Sequence, residues 1–144
     1  MNALSSSWIF WALLSAIFAA VTAILAKSGV DTLNPDIATF ARTVVVLFVL
    51  GGIVVVNGQI FQSHQWSVKG LTFIALSGIA TALSWFFYFR ALKVGNVAQV
   101  APIDKLSVVF VALLSVIFLG EQLKPTSWIG VLLIAVGAVL LALK

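Results

Sequence analysis

The sequence predicts an all-α integral membrane protein of five transmembrane helices, folded as a single domain over residues 1–144. Three observations predict it. Apolar residues make up 62% of the chain and charged residues 8%, against about 45–50% and about 25% in soluble domains. A soluble protein of this size cannot hide that much apolar surface. The apolar residues fall into five runs of roughly 20 residues, the length that crosses about 30 Å of hydrocarbon. Short polar breaks separate the runs, of the length that joins antiparallel neighbouring helices.

The first span lies near 8–26. No basic stretch precedes it and it exceeds an ordinary signal peptide, so it reads as a retained membrane helix. Its rows Ala12-Ala16-Ala20 and Ser15-Ala19-Ala23 repeat every four residues, and small residues so spaced let helices approach closely in lipid. The second span, near 37–56, is opened by the turn and helix start Asn34-Pro35-Asp36 and closed by Asn57-Gly58-Gln59. The third, near 70–91, carries the small pairs Gly78/Ala82 and Ser77/Thr81. Gly95-Asn96 leads to the fourth, near 98–119, and Gly120 through Pro125 leads to the fifth, near 127–143. There Gly130 and Gly137 share a face, as a seam within the chain or between two copies.

Five crossings place the two ends of the chain on opposite sides. Trp8, Trp11, Trp66 and Trp128 flank the side of the N-terminus, as interfacial aromatics do, with Lys69 and Lys124. Lys27, Arg90, Lys93 and Lys144 gather on the other side, and the first three read as interface anchors. The positive-inside rule makes that side cytoplasmic, with the N-terminus outside and the C-terminus inside.

Several functions are excluded. No basic cluster is dense enough for nucleic acid, although the net charge is +4. There are no cysteines, so thiol chemistry is absent. His64, the one histidine, sits in a polar loop, and a metal site needs several ligands. No nucleophile–base pair or phosphate loop is present, so neither an enzyme nor a cofactor is expected.

What remains is charge inside the spans. Ionisable groups there cost about 2.5–3.5 kcal/mol each at the centre, and they usually face a cavity or a partner. Arg42 in the second span and Asp104 with Lys105 in the fourth qualify, all at similar depth. A rise of about 1.5 Å per residue lets Arg42 reach Asp104 across a helix contact. Neighbours on a helix point about 100° apart, so Asp104 and Lys105 are not expected to satisfy each other. Lys105 would snorkel or face a wet cavity. On a continuous helix, Asp104, Ser107 and Ser115 form a polar stripe. Two bland readings compete. If the helix starts at Pro102, Asp104 is only an N-terminal residue favoured by the dipole. Arg42, likewise, can snorkel to the interface. Trp85 and Tyr88 are candidate pocket-lining aromatics, with packing as their alternative.

The run Val100 through Val109, followed by Phe118-Leu119-Gly120-Glu121, resembles the EamA group of the drug/metabolite transporter superfamily. Phe89 through Gly95, Thr39 through Val46 and the first span through Lys27 are similar to it as well. The resemblance implies a chain equivalent to one half of a ten-helix transporter. It therefore implies a homodimer, with an antiparallel pair that rebuilds the inverted repeat as one arrangement. The expectation is a secondary transporter in the bacterial inner membrane that exports small polar or amphipathic metabolites. Arg42, Asp104, Lys105, Ser107 and Ser115 are its candidate substrate or coupling residues. A non-transporting membrane subunit and a small channel are the alternatives.

Overall fold

The computed structural model describes residues 7–58 and 67–143. Gln59, His64, Trp66 and Lys144 lie outside the described residues. Six helices follow one another: α1 (Trp8–Thr32), α2 (Pro35–Val56), α3 (Val68–Val94), α4 (Val97–Asp104), α5 (Ser107–Leu119) and α6 (Pro125–Ala142). No strand occurs among the described residues. Five segments are long and apolar enough to cross a membrane: α1, α2, α3, α4 with α5, and α6. The protein is an all-α, multi-pass membrane protein.

Local chemistry sets the helix ends. Asn34 caps α2 by accepting the Asp36 N–H at 2.9 Å, and Pro35 occupies the first turn, where its missing N–H costs nothing. Gly120 closes α5 at φ 69°, and the N–H groups of Gly120 and Glu121 both reach the Ser115 carbonyl. That left-handed turn favours glycine. Threonine hydroxyls in the spans bond back one turn: Thr39 to the Pro35 carbonyl and Thr43 to that of Thr39, each at 2.8 Å. In lipid, no water would otherwise satisfy them.

The chain forms two compact units. One takes the start of α1 up to Leu25 together with Val94 onwards. In it α4 and α5 both pack on α6, and Gln99 near the start of α4 bonds the Ala142 carbonyl at the end of α6, so α4 and α6 run antiparallel. Its buried residues among those described are all alanines, Ala23, Ala112 and Ala138, small enough to admit a neighbouring helix. The other unit spans Ala26–Lys93. Its core is Val30, Ala38, Phe89 and Leu92, with Val30 and Leu92 wholly buried.

Two expectations change. The small-residue rows are used sparingly. Ala23 is buried, but a Cβ added at Gly78, Gly130 or Gly137 would meet nothing within 4 Å. The fourth span is also not one helix. Its helix begins at Val97, with Asn96 in the cap position, so Pro102 lies inside it and Asp104 is its last residue. Asp104 is therefore not an N-terminal residue of a helix started by Pro102. Pro102 has no N–H for the Ala98 carbonyl. The helix runs on to Asp104 and gives way at Lys105-Leu106. There Leu106, Val108 and Val109 donate three residues back, to Ile103, Lys105 and Leu106.

Candidate transport site

In the Ala26–Lys93 unit, Arg42 is half-buried on α2. Its Cζ sits 4.1 Å from the centroid of the Trp85 ring and 5.7 Å from that of Phe89. Trp85 and Phe89 are four apart on α3 and so share a face. Phe89 is 2% exposed. A cation over aromatic faces gains about 0.5–1 kcal/mol when exposed and about 2 when desolvated. The rings thus hold the guanidinium at its own depth, which argues against a snorkelling Arg42. Tyr88, the second aromatic expected to line a pocket, is half-buried and meets Phe89 edge-on, with centroids 6.4 Å apart.

One end of this unit is bound by charges that the sequence assigns only to the interface. The Lys93 ammonium, from α3, donates to the Val30, Asp31 and Leu33 carbonyls at 2.6, 3.2 and 3.4 Å, covering the C-terminus of α1. Lys27, from α1, returns the contact at the C-terminus of α3, donating to the Leu92 carbonyl at 2.8 Å and pairing with Asp31 at 3.0 Å. Helix C-termini carry orphan carbonyls and negative dipole ends, and a lysine answers both. Arg90 pairs with Asp36 in the first turn of α2 at 3.1 Å and lies over Phe86 at 3.7 Å. The signal was available in sequence: Lys93 falls in the last turn of α3, while the last turn of α1 has no basic residue of its own.

In the other unit, Asp104 and Lys105 pair with each other at 3.3 Å. This corrects the expectation that they diverge. Regular α-helical bonding ends at Asp104. Lys105 and Leu106 continue as a tighter right-handed turn, and the long lysine side chain reaches back across it to the carboxylate. Lys105 places a cation at the C-terminus of α4, where the dipole is unfavourable for Asp104 alone. The Ser107–Ser115 stripe also presumes a continuous helix. Both serines belong to α5, beyond the break. Ser107 is exposed, and the half-buried Ser115 hydroxyl donates to the Ala112 carbonyl at 3.2 Å. Asp104 is half-buried and Lys105 exposed. Each candidate charge therefore has a partner inside its own unit: rings for Arg42, and an opposite charge for Asp104 and Lys105. No group of three or more metal-ligating residues occurs among the described residues.

Comparison with known proteins agrees with this membrane architecture. Residues 6–143 match the EamA-like transporter family. A Sinorhizobium sp protein described as an uncharacterized transporter in the cobO 3′ region is 55% identical over 139 residues, covering 96% of this chain and 99% of that protein. An uncharacterized transporter, sll0355, of Synechocystis sp. (strain ATCC 27184 / PCC 6803 / Kazusa) is 28% identical over 137 residues. The alignment takes in 90% of this chain but 39% of that longer protein. No solved structure matches the chain. With every described residue inside the matched range, the five-span chain belongs to the EamA-like transporter family.

Proposed function

We propose that the protein is a secondary transporter that exports small polar or amphipathic metabolites by alternating access. The observation that carries this reading is Arg42, a charge within an apolar span, seated on Trp85 and Phe89. Charges inside spans mark substrate and ion pathways. Arg42 takes an anionic group of the substrate. Asp104, paired with Lys105 beside a helix break, takes a cationic group or a coupling proton. Broken helices at such positions are a recurrent feature of transporter binding regions. The reading is tested in proteoliposomes. Wild-type protein is expected to give saturable uptake from a metabolite panel, and Arg42→Ala to abolish it while the protein remains folded. Normal transport by Arg42→Ala removes Arg42 from the site.

The working assembly is a homodimer in the bacterial inner membrane. Two observations support a second copy. A relative of the same length is named as a transporter, and a longer one matches over 39% of its length. The charge distribution favours an outside N-terminus, and Lys27, Arg90 and Lys93 do cluster at one end of their unit. An antiparallel pair would instead need both orientations. The chain lacks cysteine, so Ser127→Cys, exposed in the first turn of α6, reports orientation directly. An impermeant thiol reagent added to whole cells is expected to label nearly all copies. Labelling of about half would establish the antiparallel arrangement, and a monomeric mass for the active protein would remove the dimer.

A further inference from the structure

We infer that Arg42 is a carboxylate-binding fork, and that the solute this protein carries is a small monocarboxylate with an apolar body; the inference rests on the transporter reading and narrows its substrate class. Three observations lead to it. First, the other cations of the Ala26–Lys93 unit near Arg42 are already satisfied by acceptors. Lys27 has the Leu92 carbonyl and Asp31, Arg90 has Asp36, and Lys93 has three carbonyls. Arg42 has the Trp85 and Phe89 rings and an electrostatic contact with Tyr88, but no acceptor carboxylate or carbonyl among the described residues. Its donors form no hydrogen bond or ion pair among the described residues of its unit. Second, those donors are not sealed off, since no buried side-chain nitrogen or oxygen lacks a partner among the described residues. A guanidinium with open N–H groups, held by rings, is ready to meet a planar oxyanion with two parallel bonds. Third, the immediate surroundings are mostly apolar: Trp85, Phe89 and, one turn earlier on α2, the buried Ala38, with the Tyr88 phenol as a polar neighbour. A solute bound there gains from an uncharged body against the rings.

Lysine would make the same cation–π contact but a single-point salt bridge. The arginine at this place is therefore explained by the fork. Lys105 is the other candidate for an anion, but Asp104 already answers its charge at 3.3 Å. A phosphate of a lipid headgroup shares the oxyanion chemistry. The seat on Trp85 and Phe89, seven residues into α2 from Pro35, places the guanidinium roughly 10 Å along the helix from its start, which favours a solute.

The test uses the full chain purified in a maltoside detergent. Benzoate, butyrate and L-leucine are each compared with their amides by ligand-dependent thermal stabilisation. Trp85 fluorescence is read as the difference between wild type and Trp85→Phe. The carboxylates are expected to stabilise the protein and the amides not to. Arg42→Lys should weaken carboxylate binding about tenfold, the loss of one charge-assisted hydrogen bond, and Arg42→Gln should remove it with the fold intact. Equal binding of acids and amides, undiminished acid binding by Arg42→Gln, or no binding of any acid overturns the inference. So does a response confined to added phosphatidylglycerol, which would assign Arg42 to a headgroup. Saturable transport of uncharged solutes, in the same preparation, would leave the transporter reading standing while the carboxylate fork falls.

Discussion

Asp104→Asn is expected to lower transport at least about tenfold, the consequence of losing one charge-assisted interaction, with little change in stability. The two halves of that expectation have different magnitudes behind them. The Asp104–Lys105 pair is part-exposed at 3.3 Å, and such pairs contribute only about 0–1 kcal/mol to stability. As a group inside a span it is costly to keep unless it works. A second variant separates work from structure. Asp104→Asn leaves Lys105 without its counter-charge, and that alone can impair a protein. The double variant Asp104→Asn/Lys105→Gln removes both charges. If the pair were only a structural couple, the double variant would recover transport. If Asp104 takes up a cation or proton, it stays inactive. Uptake by the wild type, the single and the double variants in matched vesicles gives the answer.

Lys93→Met is expected to destabilise the protein by roughly 1.5–3 kcal/mol, the range for hydrogen bonds to a charged group, with the lower end favoured because the residue is exposed. The ammonium serves α1 from outside, since α1 carries no basic residue in its last turn. Its removal leaves the Val30 and Asp31 carbonyls without their donor and with no charge to answer the dipole. Hydrogen exchange should accelerate in the last turns of α1 first. Lys27→Met acts on the reciprocal contact at Leu92. The two substitutions share the Val30–Asp31 segment, so their combined cost should fall short of the sum. Unfolding in a denaturing detergent titration measures all three. A Lys93→Met midpoint equal to wild type would show that these lysines only decorate the interface.

The spans were legible because their cause is simple. Long uncharged runs force helices in lipid, and Asn34-Pro35-Asp36 starts α2 where the sequence says it should. Their ends were less legible. α1 continues to Thr32 and α3 to Val94, six and three residues past the expected spans, with a lysine from the facing helix on carbonyls near each end. Such a contact joins residues more than 60 apart, and no local pattern carries it. The break after Asp104 was half legible. Pro102 signals a disturbed helix, but the disturbance falls three residues later, and every face assignment made across it shifts. Arg42 was found from its rarity. Its ring partners are less legible, because a base suggests an acid first, although Trp85 and Phe89, four apart on α3, carry the signal.

The most direct test of a carrier is counterflow. Vesicles containing the purified protein are preloaded with an unlabelled transported solute, and the same solute is added outside at trace labelled concentration. A protein that alternates one binding site between two sides exchanges label faster when solute is present inside, and accumulates it transiently above the outside level. That overshoot, lost in Arg42→Ala, is the predicted result. Flux that neither saturates nor responds to internal solute would contradict the account and describe a channel. No flux at all until a second membrane protein is supplied would contradict it as well and describe a subunit.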